Sequence, residues 1–110
     1  MRKVALITLL ALACLPLAAA ETWNDVALID TMCAAKFKNN ADAHPRSCLM
    51  QCGKNGYGII TSDGTFLKFD SAGNEQAAAA LQRSRQQDHI RVTVTGERQG
   101  GTIKVRSLKM

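Results

Sequence analysis

Two segments near the C-terminus alternate between apolar and polar residues, and this pattern constrains the fold more than any other feature of the chain. The segments run from Ile90 to Thr95 and from Thr102 to Ser107. Alternation of this kind predicts strands that are buried on one face, here joined across residues 96–101. The residues expected in the core are Val92, Val94, Ile103 and Val105, and those expected at the surface are Arg91, Lys104 and Arg106.

Three further strands are predicted earlier in the chain. Tyr57 to Thr61 and Phe66 to Asp70 flank a hairpin turn at residues 62–65. Val26 to Cys33 is rich in apolar residues at both alternating positions, interrupted by Asp30. This first strand is therefore expected to be buried on both faces or bent by a β-bulge.

Two helical segments complete the pattern. The first begins near His44-Pro45 and ends at Gly53 or Gly56, since proline suits the first turn of a helix. The second runs from Glu75 to Arg85, after turn and capping residues at 71–74. The order strand, helical insert, strand, strand, helix, strand, strand is that of the OB-fold. We predict a mainly β protein with two short helices and a five-stranded OB-like barrel; an open five-stranded sheet with two helices is the alternative.

The N-terminus has the organisation of a signal peptide. Arg2 and Lys3 precede an apolar run from Val4 to Leu15, and Ala18-Ala19-Ala20 supplies small residues for a peptidase. We expect cleavage after Ala20, a single domain at 21–110 with a helical insert at about 34–56, and a periplasmic or secreted location. The apolar run is too short to serve as an uncleaved membrane anchor. No transmembrane segment is expected in the mature chain. Acylation of Cys14 in a lipoprotein is the alternative.

Composition narrows the function classes. The mature chain has 12 Lys and Arg residues against 9 Asp and Glu residues, a net charge of +3 that is scattered along the sequence. No spacing indicates a catalytic triad, a phosphate loop or paired carboxylates, so we expect a non-enzymatic protein. Tyr57, Phe66 and Lys68 fall where OB-folds bind ligands. Export, few aromatic residues and modest charge argue against nucleic acid as the partner.

The mature chain carries an odd number of cysteines beside a histidine. Cys33, His44, Cys48 and Cys52 are candidates for a metal site, since thiolates and imidazole suit zinc, and soft sulfur ligands suit copper. If His44 were in the helix, its Cα would lie about 12 Å from that of Cys52, too far for one ion. His44 must therefore precede the helix if all of these residues are to share a metal.

A disulfide is the competing interpretation of the cysteines. In an oxidising compartment Cys33 pairs with Cys48 or Cys52. Cys52 is the better partner, because it is close in sequence to the second strand, which begins near the end of the first. Cys48 would then be a free thiol one helical turn from His44, and a protonated imidazole or the helix N-terminus could activate it.

Several of these residues also match a known pattern. The matching segments are Asp30-Thr31-Met32-Cys33-Ala34, His44-x-x-x-Cys48-x-x-x-Cys52, Val94-Thr95-Gly96 and Thr102 to Leu108. With them the mature chain resembles a family of small exported bacterial proteins of unknown function. The resemblance implies export and a barrel and no established activity. We expect a binding domain for a metal ion or a protein partner; the alternatives are a thiol-redox protein using Cys48 and a structural envelope protein.

Overall fold

Five strands close into a barrel in the computed structural model, which describes residues 19–110. Around the barrel the strand order is β1-β2-β3-β5-β4, with β3 and β5 parallel and the other pairs antiparallel. This confirms the OB-like barrel and excludes the open sheet. The predicted signal peptide, apart from Ala19 and Ala20, lies outside the described residues. The elements are β1 (Glu21–Asp30), α1 (Arg46–Cys52), β2 (Tyr57–Ile60), β3 (Phe66–Phe69), α2 (Ser71–Arg83), β4 (Arg91–Gln99) and β5 (Thr102–Lys109).

The alternating segments form β4 and β5 with the predicted orientation. Val92, Val94, Ile103 and Val105 are buried, whereas Arg91, Lys104 and Arg106 are exposed. β4 is longer than expected, because it continues through a bulge after Thr95. Gly96 permits this, since a Cβ there would lie 2.4 Å from the carbonyl oxygen of Lys104. The predicted connection at 96–101 is therefore reduced to a tight turn.

Strand β1 is buried on both faces and also carries a bulge, as its residues predicted. It begins at Glu21 and ends at Asp30, so both ends differ from the predicted Val26 and Cys33. The register shifts between Trp23 and Val26, where Asp25 has a left-handed φ of 51°. The inward side chains belong to the main core, which fills the barrel. The outward ones form a second cluster.

The second cluster lies between β1 and residues 31–45, which join β1 to α1 and are called the insert from here on. Ala27 and Ile29 of β1 pack there against Ala34 and Phe37 of the insert. Polar contacts hold the insert at a further point, because the Arg91 guanidinium donates to both carboxylate oxygens of Asp42 at 3.1 and 2.7 Å. The insert is thus fixed to β1 by apolar packing and to β4 by an ion pair.

Helix α2 covers one end of the barrel and begins earlier than predicted. The expectation that residues 71–74 form a turn before a helix at Glu75 is wrong, because Asp70 caps the helix. Its Oδ1 accepts hydrogen bonds from the backbone N–H of Gly73 at 3.0 Å and of Val105 at 3.2 Å. One carboxylate therefore starts α2 and joins it to β5.

Alanine substitutions on the two faces of β5 should differ in their effect on the free energy of unfolding. We expect Ile103→Ala to lower the free energy of unfolding by about 2 to 4 kcal/mol, through lost burial and the cavity left behind. Lys104→Ala, at the exposed neighbouring position, should change it by less than about 0.5 kcal/mol. Chemical denaturation measures both. Equal shifts of the midpoint would show that the strand is oriented differently.

Arg91 forms hydrogen bonds to Asp42 that hold the pKa of that carboxyl below its ordinary value of 3.8. A depressed carboxyl pKa contributes stability above its unfolded value and loses it as the pH falls through the folded one. Arg91→Ala should therefore cost about 1 kcal/mol at neutral pH. The cost should shrink as the pH falls below 3.8. Denaturation at several pH values tests this, with Lys104→Ala as the pH-independent control.

Candidate metal centre

A buried carboxylate lies at the end of β1. Asp30 is 0% exposed and is paired across the sheet with Tyr57, the first residue of β2. Its Oδ2 accepts a hydrogen bond from the backbone N–H of Cys33 at 3.0 Å. The chain therefore turns away from the barrel at Asp30, and this turn brings Cys33 back over the carboxylate.

The imidazole of His44 faces the other oxygen of this carboxylate. Nε2 of His44 lies 3.1 Å from Oδ1 of Asp30, and the histidine is 1% exposed. The two groups are not aligned as a hydrogen bond, so within residues 19–110 neither ring nitrogen of His44 nor Oδ1 of Asp30 has a hydrogen-bond partner. Phe37 packs edge-on against the ring, with centroids 4.7 Å apart. Buried polar atoms of this kind call for a ligand or another polar partner.

His44 precedes α1 rather than belonging to it. Its position just before Pro45 removes the distance limit that a helical His44 would impose. Burial lowers the pKa of His44, while the charge of Asp30 opposes that shift in part. The imidazole is therefore neutral at pH 7 and keeps a lone pair for a metal.

Helix α1 carries the other two thiols. Leu49 anchors the helix in the main core, and the Tyr57 hydroxyl donates to the Leu49 carbonyl oxygen at 3.1 Å. Cys48 and Cys52 are four residues apart and share a face of the helix. Together the core anchor and the tyrosine hold this face toward the end of β1.

Three potential ligand atoms converge where β1 and α1 meet. A carboxylate oxygen of Asp30 and the sulfur atoms of Cys33 and Cys52 lie within 4.8 Å of one another. The three thiols of the described chain are half-buried and unbridged. The cluster thus has a buried side at the carboxylate and an accessible side at the sulfurs.

The protonation state of Cys33 follows from this environment. Burial raises the pKa of Cys33, and the charge and hydrogen bond of Asp30 raise it further. Smaller contributions come from Cys52 and Cys48. Without a cation nearby, Cys33 is therefore a neutral thiol at pH 7, and a bound metal would have to displace its proton.

The structure groups the predicted ligands differently from the sequence. The sulfur atoms of Cys33 and Cys52 lie close together, beside the carboxylate of Asp30. His44 contacts Asp30, and Cys48 lies outside the three-residue cluster. Asp30 is the residue that sequence reasoning left without a role. The sequence indicated its role by placing a carboxylate in a strand expected to be buried on both faces, because a buried charge needs a partner.

The structure places the three residues suggested for a ligand-binding face on β2 and β3 in different surroundings. Tyr57 points into the core and is 4% exposed. Phe66 is half-buried in the second cluster, and only Lys68 of the three is exposed. Tyr57 therefore shares no exposed face with Lys68, because its side chain serves packing and the hydrogen bond to α1.

A separate cleft of about 580 Å³ lies beside β1 and the insert. Asn24, Asn39, Asn40 and Asp42 contribute to its walls, together with Arg91. It contains none of the cysteines, and its arginine is already neutralised by Asp42. Its size alone gives it no chemistry comparable to that of the thiol cluster.

Comparison of the chain with protein-family models, with curated proteins and with solved structures finds no match. In the part of the chain that the structure describes, no helix combines the length and the apolar character needed to cross a membrane.

Proposed function

We propose that the chain is an exported, non-enzymatic protein that binds a transition-metal ion with Cys33, Cys52, Asp30 and His44. One observation carries this proposal. The buried carboxylate of Asp30 lies with two thiol sulfurs on one side and the buried imidazole of His44 on the other, and three polar atoms of this carboxylate and imidazole have no hydrogen-bond partner among the described residues. The signal-peptide pattern and the resemblance to small exported proteins support the location. The metal proposal rests on the geometry of the site.

The spacing of the donor atoms is close to what a metal requires. Zinc binds thiolate sulfur at about 2.3 Å and carboxylate oxygen at about 2.0 to 2.2 Å in a tetrahedron. Two thiolates on such an ion lie about 3.8 Å apart. Since the three donors lie within 4.8 Å of one another, shifts of about an ångström bring them to coordinating distance.

The donor chemistry supports zinc, with copper as the other candidate. Two sulfurs, one carboxylate oxygen and one imidazole nitrogen form a mixed set that a borderline-soft, tetrahedral ion accepts. His44 would supply the fourth donor through a ring nitrogen that has no hydrogen-bond partner among the described residues. The ion would supply a positive charge where the protein buries a carboxylate, which offsets the cost of that burial.

Loss of a ligand thiol should abolish tight metal binding. We expect Cys33→Ser and Cys52→Ser each to remove most of the thiolate-to-metal absorbance in a Co²⁺ titration, and to remove the rise in melting temperature that Zn²⁺ causes in the wild type. Cys48→Ser is the matched control, because Cys48 is on the same face of α1 and outside the cluster. It should retain both signals.

Two outcomes would contradict the metal proposal. One is a wild-type protein, reduced and free of chelator, whose melting temperature and spectrum do not respond to either ion. The other is a Cys48→Ser variant that loses binding as completely as Cys33→Ser does. Circular dichroism of each variant separates loss of a ligand from loss of the fold.

A second function, thiol redox chemistry, is favoured by the proximity of the sulfur atoms of Cys33 and Cys52. A disulfide needs these sulfurs at about 2.05 Å, and an oxidant of the exported compartment would have to take the two electrons and two protons that the thiols lose. The bond would close a segment of about 20 residues and add roughly 2 to 4 kcal/mol of stability. Cys48 would remain as the reactive thiol of such a protein.

Thiol counting on the non-reduced, exported protein distinguishes the two functions. A Cys33–Cys52 disulfide leaves one reactive thiol, at Cys48, whether or not a chelator is present. A metal held by Cys33 and Cys52 shields two thiols, so the count should be one without chelator and three with it. We expect the second result; a count of one under both conditions would support the Cys33–Cys52 disulfide and contradict the metal proposal.

A further inference from the structure

The cleft beside β1 and the insert is lined by separate parts of the chain. Residues 22–27 of β1, 39–42 of the insert and 60–62 at the end of β2 line it together with Arg91. Its volume of about 580 Å³ is within the range of about 300 to 1,000 Å³ that small-molecule sites occupy. Such sites are usually lined by apolar side chains, whereas most residues of this cleft are polar. The cleft is therefore suited to a polar ligand.

The bulge of β1 contributes to one side of the cleft. The register of β1 against β4 shifts between Trp23 and Val26, so Asn24 and Asp25 belong to the bulge. The N–H of Asp25 donates to the hydroxyl of Thr93 at 3.3 Å. Bulges occur often beside functional sites, because they redirect side chains and backbone groups away from the regular ladder. Here the bulge brings an exposed amide, that of Asn24, to the cleft.

Arg91 joins the bulge to the insert across the cleft. Its guanidinium donates to the carbonyl oxygen of Asp25 at 2.7 Å and to both carboxylate oxygens of Asp42. The cleft is thus held in shape before a ligand arrives, which reduces the entropy lost on binding. Two carboxylates and one guanidinium give its lining a net charge of −1. This charge opposes the phosphate groups of a nucleic acid.

Exposed amides line both the bulge and the insert. They belong to Asn24, Asn39 and Asn40. Asn40 precedes the short 3-10 helix Ala41–Ala43, and an asparagine at the start of a helix commonly caps it with its side chain. The side chain of Asn40 makes no such bond. An amide both donates and accepts hydrogen bonds, as a hydroxyl does, so these side chains match a ligand rich in hydroxyl groups.

We propose that this cleft binds a short, neutral saccharide. The exposed amides hydrogen-bond its hydroxyl groups in place of water. Trp23 also lines the cleft and packs against the main core; of the described residues that line the cleft, it is the only aromatic one. An indole offers apolar surface to the C–H groups of a sugar ring. This inference is independent of the proposed metal function, because none of the three thiols lines the cleft.

The position of Trp23 provides the measurement. It is the only tryptophan of the chain, so its fluorescence reports on the cleft in unlabelled protein. The exported protein is titrated separately with maltotriose, cellotriose and chitotriose, and calorimetry gives each dissociation constant. We expect at least one of them to change the emission saturably, with a dissociation constant of about 1 mM or lower. No saturable response to any of the three at up to about 10 mM would overturn the proposal.

Alanine substitutions locate the binding site. Asn24→Ala and Asn40→Ala should each weaken saccharide binding about fivefold, through loss of one hydrogen bond. Gln99→Ala is the matched control, because Gln99 is an exposed amide at the end of β4 and does not line the cleft. It should bind as the wild type does. All three variants should keep the wild-type melting temperature, since the side chains removed are exposed. Equal losses of binding in all three would place the saccharide elsewhere and overturn the proposal.

Two further measurements complete the test. Cys33→Ser should retain saccharide binding, which separates the cleft from the metal proposal; failure of either proposal then leaves the other standing. A short oligothymidylate is the probe for nucleic acid, and we expect it to bind more weakly than the saccharide. Tighter binding of the oligothymidylate, reduced by Asn40→Ala, would show that the cleft accepts nucleic acid instead and would overturn the assignment to a saccharide.

Discussion

Strand β1 is covered on both of its faces, and the position of the candidate metal centre depends on this double burial. Val26 and Leu28 fill the barrel, while Ala27 and Ile29 point outward and need a second apolar cover. The insert provides that cover by folding back over β1. Its two ends then pass the C-terminal end of the strand, which is why Cys33 and His44 meet beside Asp30.

Buried polar groups lie where this apolar packing ends, at Asp30 and His44. An ionised carboxylate removed from water loses several kcal/mol of hydration, which a single backbone hydrogen bond does not restore. Asp30 nevertheless stays fully buried beside an imidazole that itself lacks hydrogen-bond partners among the described residues. Departures from the rules of good packing tend to mark functional sites, and here the departure coincides with two thiols.

The elements predicted correctly are those that local pattern determines. Alternation alone places Ile103 inside and Lys104 outside, because side chains on a strand point to opposite faces whatever their neighbours are. The start of α2 could not be read in the same way, since Asp70 works as a cap that also receives the N–H of Val105, a residue of another strand. The site was also predicted only in part. Sequence order indicates that Cys52 lies near Cys33, whereas the role of Asp30 depends on the packing of His44 against it.

The pairing of β1 with β4 has a consequence for the order in which the chain assembles. Thr22 and Thr95 meet across this seam although they are 73 residues apart, so the barrel cannot close until nearly all of the chain is present. All three cysteines of the domain belong to the earlier half of it. Non-local strand pairing is slow compared with the formation of a short helix such as α1. Closure of the barrel therefore depends on the last strands of the chain, whereas the three thiols lie in segments that precede those strands in the sequence.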